Sequence, residues 1–215
     1  MSCARMLPPL VLLTACATQS GGDATPEAVA KSVGDVITSL SDVGAAKATM
    51  PTSGTATFNG YATAFVKDAI TDQTGRQLVG DATLSARFSA AGGSVEGTIG
   101  NLLGRENVNQ TELFSAIQNG NAGEIEAILG DYTQASGEID LAPATITGAG
   151  FTTAIDGTIT HEGDTLRFNG RGTGNFSGDD ASGVQVTGIA GGAGDMTLTE
   201  NGALKAGTLA AVAAQ

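Results

Sequence analysis

The chain has 215 residues and carries 22 acidic against 10 basic side chains, a formal charge of -12 at neutral pH. That length fits one domain plus a tether, and the scarcity of clustered Lys and Arg excludes a phosphate-neutralising nucleic-acid surface while remaining compatible with a basic protein partner. Two cysteines and a single histidine leave little material for a disulfide framework or a transition-metal site.

Arg5 opens residues 1–15 with a minimal positive charge, and Met6 to Leu13 follow as an apolar stretch broken only by Pro8 and Pro9. A hydrocarbon core about 30 Å thick takes roughly 20 apolar residues in helical form, so this stretch is too short to span. Leu13-Thr14-Ala15-Cys16 resembles the lipobox of bacterial lipoproteins, in which the cysteine thiol takes a diacylglycerol and the signal peptidase cuts just before it. The resemblance implies a lipoprotein signal peptide over 1–15, with Cys16 as the lipid anchor. Ala17, standing where Asp would direct inner-membrane retention, resembles the pattern for the cell outer membrane. The alternative is an ordinary secretory signal with an incidental cysteine. In the lipoprotein reading Cys3 leaves with the signal and Cys16 is acylated, so no thiol remains for a disulfide, a metal or nucleophilic catalysis.

Residues 16–53 read as a tether with a short helix. Ala17 to Asp23 are small and polar; Thr25 can N-cap a helix with Pro26 in its first position, and Val29, Val33, Val36, Ile37 and Leu40 recur at helical spacing through Ala28 to Leu40. Ala45 to Gly54 form a second linker, in which Pro51 forbids regular pairing.

From Gly54 the period changes from 3.6 to 2. Ala82, Leu84, Ala86 and Phe88 alternate with polar neighbours, as do Val95, Gly97 and Ile99, and Ile139 with Leu141. Phe151 through Thr160, Leu166 with Phe168, Val184 through Ile189, Met196 through Thr199 and Ala203 through Ala213 complete a series of about eight strands. Gly92-Gly93, His161-Glu162-Gly163-Asp164 and Asn201-Gly202 are hairpin turns, the last being suited to the positive φ of a type I′ turn. The expected fold is all-β: a small antiparallel up-and-down barrel over 54–215. Residues 107–130 interrupt it with one or two short helices. Their apolar side, Leu113, Phe114, Ile117, Ile125, Ile128 and Leu129, reads as a plug or lid on the barrel in preference to a partner-binding surface.

Gly80 to Phe88 followed by Val95 to Ile99, then Phe168 to Gly178 with Val186 to Gly192, and a final Gly207 to Ala211 strand, resemble the barrel domain of the transferrin-binding protein B-like surface lipoproteins. Ser177 departs from the aromatic usual after the phenylalanine, and Val186 or Thr187 stands where an acidic residue is usual. The resemblance implies a lipid-anchored surface or periplasmic barrel; transferrin binding does not follow from it.

No catalytic, cofactor-binding or metal-binding residues are expected. His161, the only histidine, reads as a solvated turn residue, with a haem or metal ligand as the functional alternative. Gly191-Gly192-Ala193-Gly194-Asp195 reads as a bulge or turn and not as a calcium repeat, and Asp179-Asp180 as solvated loop carboxylates. None of the glycine clusters has phosphate-loop spacing. The expectation is a non-enzymatic outer-membrane-anchored lipoprotein whose barrel binds a protein or a small ligand. The alternatives are a carrier of haem or an apolar ligand in the barrel mouth beneath the helical insertion, or a structural envelope lipoprotein.

Overall fold

The structure, a computed structural model, describes residues 25–28, 31, 35, 49–119 and 122–215. The signal peptide expected over 1–15, Cys16 and most of the helix expected over Ala28 to Leu40 lie outside the described residues. Pro26, Glu27, Ala28, Lys31 and Asp35 are helical. The Ala28 amide donates to Thr25 Oγ1 at 3.2 Å, an N-cap bond that satisfies one of the otherwise unpaired first-turn donors.

A period of two sets in at Ser53 and builds ten strands: β1 (Ser53–Lys67), β2 (Thr74–Ser89), β3 (Gly92–Asn109), β4 (Thr133–Gln134), β5 (Ser136–Ile146), β6 (Gly150–His161), β7 (Asp164–Ser177), β8 (Gly183–Ala190), β9 (Met196–Glu200) and β10 (Ala203–Ala214). Two helices interrupt them, α1 (Gln110–Gln118) and α2 (Ala122–Leu129). The ladders are antiparallel apart from one parallel bridge, Ala190↔Met196, between β8 and β9, and β1 closes the sheet against β10 from Asn59↔Ala214 to Lys67↔Ala206. The result is a closed barrel.

The expected count of about eight is corrected to nine strands in the barrel wall plus the two-residue β4. Two strands escaped the count. The inward residues of β1 include Gly60, Ala62 and Ala64, so its period of two is carried by small side chains; β4 is too short to show a period. β8 and β9 lie end to end between the same two neighbours, β7 and β10, separated by the glycine turn at 191–195.

The alternation is apolar inward and polar outward. Along β6, Phe151, Thr153, Ile155, Ile159 and His161 are buried while Thr152, Ala154, Asp156, Thr158 and Thr160 are exposed. A membrane-spanning barrel has the opposite arrangement, with the apolar band facing lipid. No helix among the described residues is long and apolar enough to cross a membrane. Inward side chains from Phe58 to Ala213 make one continuous core.

The barrel's two ends differ. At the first, where β10 finishes, four phenylalanines gather: the Phe176 ring lies 5.7 Å from Phe58, 5.7 Å from Phe88 and 5.5 Å from Phe151, all tilted or edge-on. Such pairs contribute about 0.5–1.5 kcal/mol each beyond their area burial. Thr49 is fastened there: its amide donates to Gly178 O at 3.2 Å, its carbonyl accepts from the Ala181 amide at 2.9 Å, and its hydroxyl accepts from the Asp180 amide at 2.9 Å. Gln215 binds the same loop through Ser182 O, Asp180 O and Ala181 O.

The helices start later than the expected residue 107, because β3 runs on to Asn109, whose side chain then caps α1 by accepting from the Thr111 amide at 3.0 Å. They do not cover the mouth. Ala116, Ile125 and Leu129 pack on Val79, Leu103 and Tyr61, which face outward from the wall of β1, β2 and β3, and Tyr132 Oη donates to buried Gln77 Oε1 at 2.9 Å. The expected lid is thus a buttress on the outer wall. Phe114 is exposed, and the Leu113 and Ile117 side chains lie outside the described residues.

Candidate functional site: the charged mouth

At the second end, the inward period of each strand runs out on a charged side chain. On β7 the inward series Phe168 and Leu166 ends at Asp164; on β9 Met196 and Leu198 lead to Glu200. Lys205 precedes Gly207 and Leu209 on β10, and Arg76 precedes Leu78 on β2. Glu106 joins them through two irregularities in the β2–β3 ladder, between Gly75 and Gln77 and between Val79 and Asp81. At each, β3 contributes an additional residue, and Asn101 (φ 50°) or Asn107 (φ 55°) absorbs the turn in the left-handed region, which asparagine tolerates better than most.

Arg76 is the centre of the group, with 4% of its side chain exposed. Its Nη2 donates to Glu106 Oε1 and to Asp164 Oδ2, and Nη1 lies 2.8 Å from Glu200 Oε1. That last contact is close in distance but poorly aligned, so Nη1 and Nε are buried without a hydrogen-bond acceptor. Lys205 Nζ pairs with Asp68 and, at 2.7 Å, with Glu200 Oε2. Asn201, in the β9–β10 turn, donates from Nδ2 to Asp164 Oδ1 at 2.7 Å and accepts the Thr165 amide at 2.9 Å.

Charge and hydrogen bonding tune these groups. The Arg76 hydrogen bond, then that of Asn201, holds the Asp164 carboxyl below the usual range. Asp68 and then Glu200 push the Lys205 ammonium up. Burial opposes the charge on Arg76, but the carboxylates of Glu106 and Asp164 outweigh it and the guanidinium is held more firmly protonated.

The carboxylates of Glu106, Asp164 and Glu200 each offer an oxygen within 4.8 Å of the others. This is the spacing of a cation site, and the guanidinium of Arg76 occupies the cation's place. Beside them lies an open cleft of about 410 Å³, lined by Lys67, Asp68, Asp72, Arg76 and Lys205 among others. Its polar walls suit a charged or hydrogen-bonding contact.

His161 is a correction. Expected in a solvated turn, it is fully buried. The turn proper is Glu162-Gly163, with φ 53° and 91°, which leaves His161 as the last inward residue of β6. Its Nε2 lies 2.8 Å from Thr133 Oγ1, Nδ1 has no hydrogen-bond partner, and the ring covers Gly104 so closely that a Cβ there would stand 2.7 Å from it. Asp179 and Asp180 are exposed, and 191–195 is a turn closed by the Gly194 amide on Gly191 O at 3.1 Å. Cys16 lies outside the described residues.

Arg76, Glu106, Glu200 and Lys205 did not emerge as site residues from the sequence. Glu200 and Asp164 carry a readable signal, since each extends an apolar series by two residues at a turn. Glu106 carries none, because the bulges reset its period. Comparison with known proteins returns no match: no family model, no curated protein and no solved structure is significantly similar to this chain.

Proposed function

We propose that this protein is a non-enzymatic lipoprotein, held in the outer membrane by acyl chains on Cys16, whose barrel is a rigid scaffold that binds a protein or a small ligand, in the manner of the transferrin-binding protein B-like lipoproteins. The observation that carries this reading is the polarity of the barrel along its axis. Thr49, the first of the continuous described residues, is fastened at the aromatic end, opposite the charged mouth, and this supports a scaffold whose charged end is free to make contacts. The polar outer wall supports attachment through lipid, since it offers bilayer no apolar band. The continuous interior core favours contact at the surface over a cargo of haem or lipid held inside.

Metabolic labelling with a fatty-acid analogue tests the anchor: label is expected on the wild-type chain and not on Cys16→Ala, which moves to the soluble fraction. Unchanged membrane retention of Cys16→Ala would remove the lipoprotein reading. Protease shaving of intact cells then separates the outer from the periplasmic face.

A further inference from the structure

Four large apolar side chains are exposed among the described residues, and three of them lie on the outer face of the wall around the 191–195 turn. They are Ile70 in the β1–β2 turn, Ile189 on β8 and Leu204 on β10, exposed by 56, 51 and 76%. Gly191 and Gly192 form the floor between them. With φ of 88° and 61° these glycines take a conformation that side chains avoid, and a Cβ at Gly192 would stand 3.2 Å from Ile70 Cδ1. A Cβ at Gly191 would touch both Ile70 and Ala206, and one at Gly194 would meet Ile189 Cγ2 at 3.1 Å. Leu204 continues the outer face of β10 two residues from Ala206. Ile70 and Ile189 thus both lie against the glycine turn, and Leu204 is on the same outer face of β10 as Ala206, which borders that turn, so that segments far apart in sequence place apolar side chains at one end of the wall.

The rim is acidic. Asp68 and Asp72 flank Ile70, and exposed Asp195 closes the glycine turn. The nearby cations are engaged: Lys205 with Asp68 and Glu200, and Lys67 Nζ with the carbonyls of Ile70 at 2.6 Å and Asp72 at 3.1 Å. From this we infer that Ile70, Ile189 and Leu204 are the apolar centre of a docking surface for a basic protein partner, one that presents an apolar side chain ringed by Lys or Arg. Charge selects that occupant. A second copy of the chain would set Asp72 and Asp195 against themselves, and anionic lipid headgroups would meet the same carboxylates. The inference rests on the reading of the barrel as a binding scaffold and names the class of its partner.

Photo-crosslinking residues placed singly at 70, 189 and 204 of the full-length protein in its own cells, with exposed Thr158 on β6 as the control, test it. The expected result is one shared adduct from the three positions and none from 158, with the linked partner peptide carrying an apolar residue among basic ones. Leu204→Asp and Ile189→Asp should each cut the yield from position 70 about tenfold or more, as for an anchor at the centre of an interface, with an unchanged melting temperature. An adduct with the chain itself, with lipid or with an acidic surface overturns the inference, as does no adduct or an equal yield at 158. A Cys16→Ala chain that leaves the membrane yet gives the adduct keeps the surface and confirms the anchor; retention of Cys16→Ala with the adduct removes only the anchor; lipid-dependent anchoring with no adduct removes only this surface.

Discussion

Arg76 of β2 donates a hydrogen bond to Asp164 of β7, 88 residues further along the chain, and so ties strands from different parts of the wall across the barrel mouth. Glu106 and Glu200 complete the cage, and the guanidinium bridges three carboxylates whose oxygens lie within 4.8 Å of one another.

Arg76→Ala leaves those carboxylates facing one another. Breaking a buried pair typically costs 3–5 kcal/mol, and partial exposure of the acidic partners lowers the expected loss to about 2–4 kcal/mol. Millimolar calcium should recover part of that loss in Arg76→Ala and leave the wild-type melting temperature unmoved, because only the variant has a vacant site that favours the folded chain. Thermal melts with calcium and with chelator measure it; an equal calcium response in both proteins would contradict the cation-substitute role.

The pH dependence of stability has a defined sign. The Asp164 pKa is lower folded than unfolded, so its contribution is full above about pH 4 and is lost as pH falls through the folded value. Lys205 is raised by its carboxylate partners and Tyr61 by burial, so their contributions are lost as pH rises past about 10. Asp164→Asn should melt below wild type at pH 7 and approach it below pH about 4. A gap that stays constant with pH would show that the ion pair is not its source.

Gly174 lies beneath the Phe151 ring, and a Cβ there would stand 2.1 Å from Phe151 Cζ. Gly174→Ala is expected to cost about 1–3 kcal/mol by overpacking, and Phe151→Leu should return part of it in a double-mutant cycle. Gly202→Ala has open space around it, so its cost of about 1–2 kcal/mol comes from φ of 83° alone, and Phe151→Leu should leave that cost unchanged. Denaturant melts of the single and double variants separate the two causes.

Leu129→Ala should loosen the helix pair from the outer wall without opening the barrel. Leu129 is fully buried against Val79, Leu103 and Ile125, and truncation of such a side chain costs about 2–5 kcal/mol. Amide exchange should rise over 110–129 and stay slow in β6 and β7, since local units open at their own free energies. Equal acceleration in both would show that the buttress and barrel unfold together.

Where a strand alternates large and polar residues, as in Ala82 to Phe88 or Phe151 to Thr160, its orientation was legible in the residues. The Asn201-Gly202 turn was legible as well, and its φ values of 50° and 83° fit the type I′ geometry. β1 was harder, since Gly60, Ala62 and Ala64 fill the inward positions and weaken the pattern. His161 was misplaced because four residues of a turn motif differ in their facing, and only the pairing His161↔Asp164 shows which two are central. The mouth was illegible as a group: Glu200 reaches Arg76 only through ring closure, and the bulges at Asn101 and Asn107 remove the period that would have aimed Glu106 inward.

Thr49 and Gln215 both bind one loop, Gly178 to Ser182. The wall is therefore a closed ring in which β1 pairs with β10 as other neighbouring strands pair with one another. A circular permutant that joins these two residues by a short peptide and opens at Glu162-Gly163 or Asn201-Gly202 would retain every ladder of the sheet, and would turn the barrel end for end on whatever it is attached to.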